Sequence, residues 1–189
     1  MTTLKSDFLE DTITVSKYAL NQEQFYHLNE SVPWVKDLLK ELEGEAPTLA
    51  EGGNVTEGKM LVELSILRKH DTILLDHLIV SGRVIGTYQA VCVRCLEGIM
   101  TPLEIEFNGC FLHSSLEKTP EYEDVTEVYV DQKEMDLYFY EKGKINLKNL
   151  VHENIYLVCS PFPLHNEGCK GLCSVCGTNL NYNDCHHNP

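Results

Sequence analysis

Two C-x2-C pairs stand out in this chain of 189 residues, Cys92-Val-Arg-Cys95 and Cys173-Ser-Val-Cys176. A two-residue spacing lets both thiolates turn into one tetrahedral site, which suits zinc. Eight cysteines are present, and five of them lie between 159 and 185. The second pair is followed by Gly177, free to take the left-handed conformation just past the second ligand, and then by Cys185-His186-His187. Cys185 and one of the two histidines would complete a tetrahedron with Cys173 and Cys176. Only eight residues separate Cys176 from Cys185, so the site would be compact. Two ligands do not make a structural zinc site. Cys92 and Cys95 therefore need partners, and His165 and Cys169, with three residues between them, are otherwise unused. The expectation is one or two Zn(2+) per chain.

Other readings of these residues have physical content too. A dithiol at Cys92 and Cys95 could act in redox chemistry, but a thioredoxin-type C-x-x-C opens a helix inside a βαβ unit, and none is legible around it. Cys110 and Cys159 read as core residues, because cysteine buries readily. His27, His70, His77, His113 and His152 are scattered and suggest no site. No Gly-rich phosphate loop, G-x-S-x-G or H-E-x-x-H is present. A zinc with four protein ligands leaves no open position for water. The chain is therefore read as non-enzymatic, with no small-molecule substrate evident.

These residues must be positioned by the rest of the chain. Ile13 and Val15 mark a short N-terminal strand. Residues 21–44 look helical, with Asn21 or Asn29 as cap, Pro33 in a first turn, and Trp34, Leu38, Leu39 and Leu42 as one apolar stripe. Gly44 to Gly58 reads as a polar connection. Alternation at Met60, Val62, Leu64 and Ile66 predicts a strand. Further strands are predicted over Ile73–Ile85, over Gly86–Val93, and through Leu103, Ile105 and Phe107 to Phe111. An acidic loop, 117–127, precedes strands at Val128–Val130 and Leu137–Phe139. Residues 146–158 read as a helix capped by Asn146, with Leu147, Leu150, Val151, Asn154 and Val158 at helical spacing, stopped by Pro161 and Pro163. From His165 onward there are few large apolar groups, so something other than apolar burial must hold the tail. The expected fold is α+β: a strongly bent antiparallel sheet, helices near the N-terminus and at 146–158, and a zinc-held C-terminal tail. The expected regions are 1–58, 59–158 and 159–189.

The formal charge is −14, and it is unevenly spread. Residues 101–140 carry ten acidic groups and two basic ones, whereas 141–189 carry four of each. Such a balance argues against broad electrostatic binding to nucleic acid or to an anionic membrane. A neutral face around the cysteine motifs remains available to RNA or protein. The N-terminal stretch MTTLKSDFLEDT lacks the apolar core of a secretory signal, and no aliphatic run is long enough to span a bilayer. The expected compartment is the cytoplasm, where thiols stay reduced.

Gly82, Cys92-Val-Arg-Cys95-Leu96 and Cys169-Lys-Gly-Leu-Cys173-Ser-Val-Cys176-Gly-Thr-Asn-Leu-Asn181 together resemble the YceD family of bacterial and plastid proteins linked to accumulation of large-subunit ribosomal RNA. The segment Ile145 to Val158 is similar as well, and the resemblance runs from about residue 60 to the C-terminus. His165 stands where members often carry a cysteine, and Cys185-His186-His187 where they often end in C-x-C. Both replacements keep a zinc-competent ligand, and the second favours His187 over His186. Ser160 and Ser174 replace usual prolines. The resemblance implies ribosome biogenesis: processing or accumulation of large-subunit ribosomal RNA, with ribosomal RNA or ribosome-assembly proteins as partners. Arg94 and Lys170, then Lys142, Lys144 and Lys148, are the expected contacts, since they lie in the neutral blocks. The alternatives are a protein-interaction adaptor whose acidic loop meets a basic ribosomal protein, and a C-x-x-C thiol redox protein.

Overall fold

The computed structural model describes residues 5–44 and 57–187. In chain order the elements are β1 (Lys5–Ser6), β2 (Thr12–Thr14), β3 (Gln24–Leu28), α1 (Pro33–Glu43), β4 (Lys59–His70), β5 (Asp76–Val91), β6 (Gly98–His113), β7 (Glu127–Val130), β8 (Lys133–Tyr140), β9 (Lys144–Asn146) and α2 (Leu147–Val158). Short 3-10 turns follow β2 and β6. Seven strands form one sheet in the order β1-β3-β4-β5-β6-β8-β7, and β2 pairs with β9 in a separate ribbon. The fold is α+β and the sheet is mostly antiparallel; β1–β3 and β6–β8 are the parallel pairs. No helix among the described residues is long and apolar enough to cross a membrane.

Alternation sends successive side chains to opposite faces of a strand. Met60, Val62, Leu64 and Ile66 of β4 point to one face together with Val80 and Val84 of β5 and Leu103, Ile105 and Phe107 of β6. Both helices cover that face: Trp34, Val35, Leu38 and Leu39 of α1, and Leu147, Leu150, Val151 and Ile155 of α2, are buried in the same core. Trp34 Nε1 donates to the Leu9 carbonyl at 2.8 Å, tying the N-terminal segment to α1. On the opposite face a smaller core gathers Ile79, Cys110, Leu112, Val128 and Met135. Tyr122 of the acidic segment is buried there, so the 117–127 segment is anchored to the sheet by a side chain.

The helix expected over 21–44 is corrected to α1 alone. Residues 24–28 are a strand pairing antiparallel with β4, because Tyr26 and Leu28 alternate with period two and are buried against it. Neither asparagine caps the helix. Asn29 instead closes the turn before it, accepting from the Ser31 amide at 2.9 Å, while the cap position is Val32 and makes no side-chain bond. The two strands expected over 73–85 and 86–93 are one, β5. Gly86 does not break it. A Cβ there would lie 2.0 Å from the Lys59 carbonyl oxygen, so glycine permits close backbone approach inside the strand. Most of the connection expected over 44–58 lies outside the described residues.

Candidate metal centre

Cys92 follows the last residue of β5, and the turn Cys92–Glu97 joins that strand to β6. The Cys92 amide donates to the Glu97 carbonyl and the Leu96 amide to the Cys92 carbonyl, both at 2.9 Å. The tail repeats the pattern. The Cys173 amide donates to the Thr178 carbonyl at 2.8 Å, and the Gly177 amide donates to the Cys173 carbonyl at 2.9 Å. Leu96 and Gly177 hold equivalent places and share a left-handed backbone, with φ +60° and +70°. The two C-x2-C pairs are thus built as the same knuckle, one in the turn between β5 and β6 and one in the tail.

In both turns amide groups point at the first sulfur. The Val175 amide donates to Cys173 Sγ at 3.4 Å. Burial alone would raise the Cys92 thiol, but the amides of Cys95, His165 and Arg94 hold it down at about 6. Cys95 goes the other way, pushed up to about 12 by burial and then by the neighbouring sulfurs of Cys92 and Cys169. Cys176 is held at about 6 by the Thr178 hydroxyl and amide and by Cys173. The His187 amide favours the Cys185 thiolate, yet crowding by Cys173 keeps that thiol above its ordinary range. Closely packed sulfurs cannot all ionise without a counter-charge. A bound divalent cation reverses that balance.

The tail brings four expected ligands together: the ligand atoms of Cys173, Cys176, Cys185 and His187 all lie within 4.8 Å of one another, and His186 is not among them. At the strand turn, Cys92, Cys95 and Cys169 converge within the same limit and all three are buried. Cys92 Sγ and Cys169 Sγ are 3.8 Å apart. Zinc–sulfur bonds of about 2.3 Å at tetrahedral angles place two sulfurs about 3.8 Å apart, so this edge fits the ion. His165 sits to one side. Its Nδ1 is 4.0 Å from Cys95 Sγ, and it groups with Cys95 and Glu97 rather than with all three sulfurs.

Glu97 is the residue that sequence reasoning missed. One of its carboxylate oxygens, Oε2, lies 3.6 Å from His165 Nδ1, while Asn179 Nδ2 donates to Oε1 and the Tyr182 hydroxyl to Oε2, each at 3.1 Å. An acid two positions after a cysteine forms no recognisable pattern; only the β5–β6 turn and the folded tail bring these groups together.

Of the expected partner contacts, Arg94 is exposed but turned inward. Its Nη1 donates to the carbonyls of Cys169 at 3.1 Å and Glu167 at 3.3 Å, and its own carbonyl accepts from the Leu172 amide at 3.0 Å. It stitches the tail to the strand turn. Lys148 pairs with Glu41 of α1 at 2.7 Å. Lys142 and Lys144 flank the start of β9. Lys170 is exposed.

The comparisons fall on this region. The family model for the large ribosomal RNA subunit accumulation protein YceD matches residues 80–189, which include both knuckles, the hairpin between β5 and β6, α2 and the tail. The chain is also 26% identical over 106 residues to an uncharacterized protein of Mycobacterium leprae, ML1660. That alignment covers 56% of this chain and 44% of the relative, so the chain spans less than half the relative's length. No solved structure matches. With more than half of its length under the family model, the chain belongs to the YceD family of large ribosomal RNA subunit accumulation proteins.

Proposed function

We propose that the protein is a non-enzymatic ribosome-biogenesis factor that supports processing or accumulation of large-subunit ribosomal RNA in the cytoplasm, with zinc as a structural element. The observation that carries the zinc reading is the repeated knuckle: two turns with the same hydrogen bonds, the same left-handed position and converging sulfurs. Cys173, Cys176, Cys185 and His187 would hold one ion. Cys92, Cys95 and Cys169, with His165 as the fourth donor, would hold the second. Bound there, zinc would supply folding free energy to a tail that lacks an apolar core. The ribosomal role rests on the family.

The residues of this chain would then act by presenting a surface. Lys170 lies between the two ligand sets with an exposed side chain, so its replacement probes contact, whereas replacing Arg94 also cuts the tail from the strand turn. Complementation tests the reading. Cells depleted of the protein should lose mature large-subunit ribosomal RNA, and wild-type chain should restore it. A Cys173→Ser/Cys176→Ser chain should not. Full restoration by that chain would overturn the zinc requirement, and unchanged ribosomal RNA on depletion would overturn the biogenesis role.

A second reading, an adaptor for a basic ribosomal protein, has its own observation. Glu127 of β7 lies opposite Asp136 of β8, one acid directly across from another, and the nearby Glu134 carboxyl raises that of Glu127 above its ordinary range. An uncompensated acidic edge favours a basic partner. Salt-sensitive association with basic ribosomal proteins, and none with ribosomal RNA fragments, would decide for this reading.

A further inference from the structure

The segment Thr178–Tyr182 belongs to the tail knuckle at its start and to the strand-turn site at its end. Thr178 closes the tail knuckle, its carbonyl accepting from the Cys173 amide at 2.8 Å and its Oγ1 lying 3.2 Å from Cys176 Sγ. A few residues on, the direction changes. Asn181 Nδ2 donates to Cys169 Sγ at 3.4 Å, and Asn179 Nδ2 and the Tyr182 hydroxyl donate to the Glu97 carboxylate that faces His165. Asn181 Oδ1 also accepts from the Lys170 amide at 2.8 Å, and the Leu180 amide donates to the Gly171 carbonyl at 2.9 Å. Gly171 itself sits so close to the strand turn that a Cβ would lie 3.0 Å from the Arg94 carbonyl oxygen.

We infer that the two ligand sets are thermodynamically coupled, with the Cys176–Cys185 segment of the tail site supplying the outer shell of the strand-turn site through Asn179, Asn181 and Tyr182. The inference rests on the metal reading above. Outer-shell partners orient ligands and tune affinity, and their loss typically weakens binding by about 10- to 100-fold. Here those partners come from a segment with little apolar burial of its own, since Asn179, Leu180 and Asn181 are only half-buried and Tyr182 is exposed. An ion at Cys173, Cys176, Cys185 and His187 fixes both ends of that segment. The ordering that the strand-turn site requires is then already in place when its own ion arrives. Linkage makes the effect reciprocal, so each ion strengthens binding of the other. Asn179, Asn181 and Tyr182 are positioning residues and not ligands.

Cobalt(II) titration of the reduced, metal-free full chain tests this, read by its thiolate charge-transfer absorption and by competition with a chelator. Cys176→Ser/Cys185→Ser isolates the strand-turn site, and Cys92→Ser/Cys95→Ser isolates the tail site. For independent sites the overall affinity of the wild-type chain equals the product of the two single-site constants. Coupling predicts an excess of about tenfold or more. Asn181→Ala and Tyr182→Phe should reduce that excess and leave the isolated tail constant unchanged. The second variant removes only a hydroxyl from an exposed side chain, so loss of folding does not blur the outcome. Two ions bound with no excess would overturn the coupling and leave the metal reading intact. Fewer than two ions bound by the wild-type chain would overturn the coupling by removing one of the sites it joins.

Discussion

Leu96 and Gly177 follow the second cysteine of their respective turns and meet one backbone demand with different side chains. A left-handed residue other than glycine costs roughly 1–2 kcal/mol from the approach of Cβ to a carbonyl oxygen. Gly177 avoids that cost, and Leu96 bears it with its side chain 59% exposed. Two glycines of the tail therefore make a ranked prediction. Around Gly177 there is nothing within 4 Å of an added Cβ, so Gly177→Ala should cost about 1 kcal/mol, from backbone conformation alone. Gly171→Ala carries the same burden at φ +75° and also crowds the Arg94 carbonyl, so it should cost more and loosen the tail from the strand turn. Thermal unfolding of the metal-loaded chain checks the order, and equal costs would contradict it. The grouping of Cys173, Cys176, Cys185 and His187 was legible at this scale because cysteine and histidine spacing carries chemistry by itself. Glu97 was not legible, because its importance comes from groups 82 and 85 residues away in sequence.

Among the elements, α2 was readable from its stripe and its cap, and Asn146 Oδ1 does accept from the Asn149 amide at 2.8 Å. Asn146→Ala should lower the free energy of unfolding by about 1 kcal/mol, measured by urea denaturation. No loss would mean that the β9 pairing alone sets the start of the helix. The segment before α1 misled for a physical reason. Five residues of period two, Gln24–Leu28, run into a helical stripe after a short turn, and the apolar positions of both merge into one apparent periodicity. Gly86 misled in the opposite sense, reading as punctuation where the structure uses it for a close approach within β5. The hairpin of β4 and β5 carries a second prediction. Arg68 donates to Asp76 at 2.7 and 2.9 Å, and that bond holds the Asp76 carboxyl below its ordinary range. A depressed carboxylate stabilises the fold above its unfolded value of about 3.9, and the contribution is lost as pH falls through the lower folded value. Wild-type stability should therefore fall more steeply below about pH 4 than that of Asp76→Asn. Parallel acid curves for the two chains would contradict the pair's role, and acid loss of metal, common to both, cancels in the difference.

At the scale of the molecule, the sheet and the cysteine-rich end are built differently. The sheet buries its apolar face under two helices, whereas the tail from His165 onward buries Cys169, Gly171 and Cys173 and little else. Chelation should therefore release the tail and leave the strands in place, seen as fast amide exchange confined to residues beyond about 164 and the turn Cys92–Glu97. Exchange spreading evenly through β4, β5 and β6 would show that the metal supports the whole fold instead. The α+β class and the cysteine-rich end were visible from alternation and composition. The sharing of a single segment between the two ends of the site was not, since it depends on how the tail folds back on the β5–β6 turn.

The central claim is that the two knuckles are metal sites, and zinc content with thiol accessibility addresses it most directly. Protein purified under reducing conditions without chelator should hold two zinc ions per chain. The thiols of Cys92, Cys95, Cys169, Cys173, Cys176 and Cys185 should resist alkylation until the ions are removed, with Cys110 protected in the small core throughout. One ion per chain, with Cys92 and Cys95 reactive, would remove the strand-turn site. No bound zinc, with the same thiol reactivity before and after chelation, would contradict the account.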